Sequence, residues 1–80
     1  SILFTDDLEN KVNYIFKDLN KKSLSLKVHP FVEAYLTKGI DSMRNRWFLK
    51  YLKWIKVEEN SSFSLLEYHF LDENAEEIIL

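Results

Sequence analysis

The chain contains one proline, Pro30, and one glycine, Gly39, and the segment holding both, LSLKVHPFVEAYLTKG from Leu24 to Gly39, carries its own start and stop signals. Leu24, Leu26 and Val28 alternate with Ser25 and Lys27, the period of two that predicts a strand with one buried face. Pro30 cannot donate to a sheet ladder, but at the first position of a helix that donor is unsatisfied anyway, and the ring's fixed φ suits the turn. A helix is therefore predicted from Pro30. Phe31, Ala34 and Tyr35 with Val32 and Leu36 give it an apolar face, and Gly39 stands where a left-handed residue ends a helix. Ile40 is expected to fold back on Tyr35, the contact that accompanies such an end.

Eighty residues make one domain, 1–80, with a single core. Apolar residues at 46% and aromatics at 15% can fill that core with large side chains, each buried ring removing ~150–250 Å² from water. The absence of cysteine leaves no disulfide framework and no thiolate zinc site, which favours a cytoplasmic setting. There is no basic-then-apolar leader and no apolar run of membrane-spanning length, so no membrane partner is expected. The chain opens on Ser1 rather than Met, and is expected to be cut from something longer.

Ahead of the Pro30 unit, Ser1 to Phe4 is a short apolar lead-in. Thr5-Asp6-Asp7 then offers a cap and acids for the positive end of a helix, with Asp6 and Glu9 at capping-box spacing. Leu8, Val12, Ile15, Phe16 and Leu19 form one stripe, leaving Lys11, Asn13, Lys17 and Asp18 to solvent. Asn20 tolerates a left-handed stop, and Lys21 and Lys22 suit the negative end of the dipole. Beyond Gly39, Asp41 is the expected cap of a third helix, with Ile40, Met43, Trp47, Tyr51 and Trp54 at helical spacing. That helix is predicted to stop near Lys50 and a strand to begin near Leu52, because β-branched residues gather toward Val57. Glu58 to Ser62 reads as a polar turn, and Leu65 to Leu71 as a second strand that closes an antiparallel hairpin. Asp72 to Ala75 is a further turn, with a short edge strand possible over Glu77 to Leu80. The expected fold class is α+β: two layers, a small mixed β-sheet with helices on one face, in the order α-β-α-α-β-β.

Charge is divided along the chain. From Ser1 to Thr37 acids and lysines balance; from Lys38 to Lys56 the bases Lys38, Arg44, Arg46, Lys50, Lys53 and Lys56 face Asp41 alone; from Val57 onward every charged residue is acidic. Within RNRWFLKYLKWIK, Arg44 to Lys56, bases alternate with Trp47, Phe48, Tyr51 and Trp54. Cations on phosphates with rings stacked on unpaired bases is how single-stranded RNA is commonly held. Those six bases are thus the candidate RNA-binding residues. The competing reading is that the rings are core and the bases its solvated side.

Other chemistries find little footing. His29 and His69 have no metal-ligand partner at short helical spacing, and a zinc site needs at least three converging ligands. His29 is expected to bond a backbone group where the Pro30 helix starts, and His69 to face solvent beside Lys53 or Lys56. The serines Ser23, Ser25, Ser42, Ser61, Ser62 and Ser64 fall at turns, caps or outward positions, where hydroxyls serve the backbone. The pairs Asp6/Asp7, Glu58/Glu59 and Glu76/Glu77 read as solvated acids. One glycine cannot make a phosphate-binding loop, so a nucleotide cofactor is excluded.

The run Leu26 to Gly39, LKVHPFVEAYLTKG, with Arg46-Trp47, Lys50-Tyr51, Lys53-Trp54-Ile55-Lys56-Val57 and Glu67-Tyr68-His69-Phe70 downstream, resembles the C-terminal small domain of the bacterial ribonuclease E/G family, especially its ribonuclease G-like members. The similarity spans nearly the whole chain. It implies a parent magnesium-dependent endoribonuclease that processes ribosomal RNA precursors and degrades messenger RNA. In that family the catalytic aspartates and a cysteine zinc link between subunits precede this segment. No position here matches them, so the resemblance implies no catalytic, metal or cofactor residue in this chain. It implies a structural and assembly role toward the other domains and subunits of the parent ribonuclease.

Overall fold

The computed structural model of the protein describes residues 2–80. Its elements are α1 (Ile2–Lys17), β1 (Leu24–Val28), α2 (Pro30–Thr37), α3 (Met43–Tyr51), β2 (Ile55–Glu59) and β3 (Tyr68–Leu71). The architecture is α+β in the predicted order, with three strands in a mixed sheet.

The unit around Pro30 and Gly39 forms as its residues dictate. β1 buries Leu24, Leu26 and Val28 and leaves Ser25 and Lys27 half-exposed. His29 caps α2, its Nδ1 accepting from Phe31 N–H at 3.1 Å, and Pro30 takes the first helical turn. Lys38 N–H closes the helix on the Ala34 carbonyl, and Gly39 follows with φ +82°. Val32 and Leu36 are the buried face of α2, whereas Phe31 and Tyr35, predicted to share it, are 75% and 65% exposed. Ile40 does not return to Tyr35; it is 91% exposed.

α1 begins earlier than Asp6. Phe4, one turn before Leu8, extends the apolar stripe and packs edge-on against Tyr68, so helical packing continues through the acids. Asp7 then sits inside the helix and pairs with Lys11 at 2.7 Å. The helix ends at Lys17, Asn20 takes φ +54°, and Leu19 drops out of the stripe.

Between α2 and β2 the cap of α3 is Ser42, not Asp41: the buried Ser42 Oγ accepts from Asn45 N–H at 3.2 Å, leaving Asp41 in solvent. Of the predicted stripe only Trp47 is fully buried; Met43 and Tyr51 pack on the core edge. Leu52 terminates α3 in the left-handed region (φ +56°), which prevents a strand from starting there, so β2 begins at Ile55 and takes in Glu58 and Glu59.

The predicted hairpin is absent, because β1 lies between the two strands it was to join. The sheet order is β2-β1-β3, with β1 parallel to β2 (Leu26 beside Val57) and antiparallel to β3 (Leu26 beside Phe70). β1 buries three residues where β2 and β3 bury one each, and the central position gives its buried face neighbours on both sides. Residues 60–67 must cross two strand spacings, ~10 Å, which suits a longer loop than a tight turn. β3 starts at Tyr68, and Leu65 and Leu66 remain in that loop, about half exposed. The final edge strand reduces to a single bridge between Leu71 and Glu77.

One face of this sheet, carrying Leu24, Leu26, Val28, Ile55 and Phe70, meets Leu8, Val12, Ile15 and Phe16 of α1, Val32 and Leu36 of α2, and Trp47 of α3 in one cluster. Burying each such side chain stabilises the fold by about 1.5–3 kcal/mol. The other face carries Ser25, Lys27, Lys56, Glu58 and His69, following the strand register.

Candidate functional site

Two surfaces stand apart from the core. The first is a groove of about 440 Å³ lined by Phe4 and Thr5 of α1, Phe31, Val32 and Tyr35 of α2, and Leu65 and Leu66 of the crossing loop. Its position follows from the register of α2. With Val32 and Leu36 turned inward, Phe31 and Tyr35, one turn apart, present their rings along the outward flank. The loop delivers Leu65 and Leu66 opposite them because β3 starts only at Tyr68. Glu33 on the same helix is engaged locally, its carboxylate and carbonyl both accepting from the Thr37 hydroxyl. The groove is thus apolar along its length. Helical spacing places Phe31 and Tyr35 on the apolar face of α2, and Leu65 and Leu66 fall within the predicted strand; the adjacency of the two leucines, which breaks strict alternation, is the signal against that strand assignment.

The second surface is the basic and aromatic stretch, whose members part company. Trp47 is buried, its Nε1–H reaching Glu9 on α1 at 3.4 Å. Trp54 is 46% exposed, with Phe48 edge-on at 5.5 Å and the Arg44 guanidinium 4.9 Å from its ring centroid. Arg44 Nε is buried there without a hydrogen-bond partner. Arg46 and Lys50 project from α3 into solvent, and Lys38 lies exposed at the end of α2. Lys53 turns inward, its Nζ donating to the Lys21 carbonyl at 2.8 Å and lying over the Phe16 ring. Lys56 sits on the opposite face of the sheet, 3.9 Å from Glu58. Arg44, Phe48 and Trp54 are therefore brought together, while Lys53 and Lys56 are not on a common face with them.

The histidines differ. His29 serves the backbone at the start of α2, as expected. His69 does not face Lys53 or Lys56; its Nε2 lies 2.9 Å from Glu67 and its Nδ1 3.0 Å from Glu77. Lys53 is occupied at Lys21 and Lys56 is two strands away, whereas the crossing loop and the chain end bring carboxylates to both ring nitrogens. Hydrogen bonds to Glu67 and then Glu77 raise the His69 pKa, and the Glu67 carboxyl is held below its usual range by His69 and by Ser64 N–H. Asp72 is likewise lowered, chiefly by backbone N–H donors in the turn it caps. Among the described residues no three His, Asp or Glu side chains converge to hold a metal ion, and no helix is long and apolar enough to cross a membrane.

Compared with known proteins, the chain matches no family model, no curated protein and no solved structure.

Proposed function

We propose that this chain is a structural and assembly domain of a cytoplasmic ribonuclease E/G-like endoribonuclease, a parent that acts in ribosomal RNA processing and messenger RNA decay, and that the chain does not itself cut RNA. The observation that carries this reading is the placement of Phe31 and Tyr35. Both lie within the run that resembles the family, yet neither contributes to this domain's own core. Large apolar side chains grouped along an open groove are the mark of a surface that another protein covers. The occupant under this reading is another domain or subunit of the parent, and the groove buries its rings on assembly. Magnesium and the zinc link belong to the parent outside this chain.

Incubating the purified chain with single-stranded RNA and magnesium tests the catalytic half of the reading: intact RNA is expected, and magnesium-dependent cleavage that co-purifies with the chain would overturn it. Placing Phe31→Ser with Tyr35→Ser in the parent enzyme tests the assembly half. Loss of higher-order association is expected, and unchanged association would remove the groove from the interface.

A second reading is favoured by one specific observation, the half-exposed Trp54 ring beneath Arg44 and beside Phe48. A ring carrying a guanidinium is suited to a nucleobase and its phosphate. Titration with single-stranded RNA at two salt concentrations separates the readings: binding that weakens steeply with salt supports an RNA surface, and no binding at low salt removes it.

A further inference from the structure

The Glu67–His69–Glu77 group lies on the sheet face away from the core and plays no part in the groove or the basic stretch. We propose that these three residues form a proton-operated latch, which holds the strap Glu76–Leu80 against the outer edge of β3 and loosens it when the imidazole loses its proton.

The argument starts from hydrogen-bond capacity. Each ring nitrogen of His69 faces a carboxylate oxygen, Nε2 to Glu67 at 2.9 Å and Nδ1 to Glu77 at 3.0 Å. An ionised carboxylate only accepts, and a neutral imidazole has one N–H. Both contacts are hydrogen bonds only in the imidazolium form. On deprotonation one ring nitrogen presents a lone pair to a carboxylate oxygen about 3 Å away, and that contact turns repulsive. The carboxylates occupy opposite edges of the ring, so no single point between them suits a metal ion.

The two carboxylates are not equivalent. Glu67 stands two residues from His69 and is fixed by Ser64 N–H at 3.1 Å, so its contact is local. Glu77 belongs to the strap. Beyond that ion pair Glu76 exchanges two bonds with Asp72, its O accepting from Asp72 N–H and its N–H donating to Asp72 Oδ1 at 3.0 Å, Ile78 N–H donates to Phe70 O at 2.8 Å, and Leu71 and Glu77 form one bridge. Ile78 packs on the core, whereas Ile79 is 82% exposed. Among the described residues the His69–Glu77 contact is the ion pair that seats the strap, and the one of its bonds that depends on the charge of the imidazole.

The surroundings favour the charged ring. The Phe63 ring lies tilted beside the imidazole, with 5.1 Å between the ring centroids. Facing it across the strand pair is Lys27 of β1, with Glu58 of β2 beyond, and Lys11 of α1 lies on the rim of the pocket that His69, Glu77 and the strap line. Lys27 and Lys11 oppose the imidazolium, but neither bonds to it, while both carboxylates do. The strap covers the side of β3 that faces away from β1. Its release bares a strand edge with unpaired backbone groups, which other strands can join.

The test is magnetic resonance on the isotope-labelled chain, following the His69 ring resonances and the exchange of the Ile78 amide from pH 5 to pH 9. After correction for intrinsic exchange, Ile78 protection is expected to fall in a step centred on the His69 midpoint. The fall is about tenfold for each pKa unit separating the strap-closed from the strap-open state, while the Leu26 amide in the central strand, which exchanges through global opening, stays more strongly protected than Ile78 at every pH. Glu77→Gln is expected to lower the His69 midpoint and remove the step, and His69→Gln to remove it as well. An Ile78 amide indifferent to His69 titration, or a His69 midpoint unmoved by Glu77→Gln, overturns the latch. Leu26 remaining better protected than Ile78 in both variants confirms that the fold is intact when the comparison is made.

Discussion

The Tyr51 hydroxyl donates to Asn13 Oδ1 at 3.0 Å, joining the last turn of α3 to the C-terminal half of α1. One turn earlier on both helices Trp47 reaches Glu9, so the two helices run in the same direction with paired rungs between them. Trp47 lies behind these rungs as the largest fully buried side chain, and Phe16 packs at 5.3 Å against the Tyr51 ring.

From this follows the first prediction. Trp47→Ala removes a whole indole from a closed cluster and is expected to cost about 3–5 kcal/mol. Tyr51→Phe keeps the ring and loses only the bond to Asn13, so its cost is about 0.5–1.5 kcal/mol. Urea unfolding measures both; a shift of midpoint at constant slope assigns the change to the native state.

A second prediction concerns two left-handed positions occupied differently. Leu52 caps α3 at φ +56° with its side chain largely in solvent. A non-glycine residue there costs about 1–2 kcal/mol, partly offset by the extra chain entropy that glycine would lose on folding. Leu52→Gly is expected to stabilise the domain by up to about 1 kcal/mol. Gly39→Ala tests the converse. At φ +82° an added Cβ meets nothing within 4 Å, so the expected loss of about 1 kcal/mol is backbone strain alone. The shift in urea midpoint reads both.

The Leu24–Gly39 unit was legible because its signals are local: alternation, a proline that starts a helix and a glycine that follows it. The three helices, the three strands and the fold class follow from such signals. Strand order was not legible. The hairpin expectation rested on sequence adjacency, whereas β1, with Leu24, Leu26 and Val28 all buried, takes the centre of the sheet. Periodicity also cannot tell which part of a wide apolar stripe faces the domain's own core. Helical spacing therefore groups Phe31 and Tyr35 with Val32 and Leu36. The bases of the basic stretch do not share one face, because the left-handed Leu52 redirects the chain, so Lys53 points at Lys21 and Lys56 emerges on the far face.

Those outward rings give the third prediction. Replacing Phe31 and Tyr35 by serine is expected to change stability by no more than about 0.5 kcal/mol each, the usual range for exposed positions. Val32→Ser and Leu36→Ser, one position along the same helix, bury a hydroxyl in the apolar cluster and are expected to prevent or greatly weaken folding. Thermal melts of the four single variants distinguish the two faces of α2, and near-equal losses at all four positions would contradict the observed register.

The fourth prediction uses the unequal tryptophans. Trp54 is accessible and Trp47 is not, so a soluble quencher should extinguish one component of the emission and leave the other. Trp54→Phe is expected to leave emission that resists quenching. Arg44→Ala uncovers the Trp54 ring, and the accessible component is then expected to quench more steeply. Equal quenching in both proteins would show that Arg44 does not lie over the ring.

The last prediction is the pH dependence of stability, whose sign is set by groups on the solvent side of the sheet and in the final turn. Glu67, Asp72 and Glu73 have folded pKa values below their unfolded ones: Glu67 through His69 and Ser64 N–H, Asp72 through backbone donors in its own turn, Glu73 through Lys22 N–H. Their stabilisation is complete above the unfolded carboxylate values near 4 and is lost as pH falls through the lowered ones. His69 has the opposite sign. Its folded value is raised, so its contribution is complete below the unfolded imidazole value of about 6.5 and disappears as pH rises through the folded one. Stability should therefore climb from pH 2 to about 5, hold a maximum between about 5 and 6.5, and decline above it. The urea midpoint across pH 2–9 measures the profile. In His69→Gln the alkaline decline should vanish while the acid limb, carried by Asp72 and Glu73 at the far end of the turn, keeps its direction.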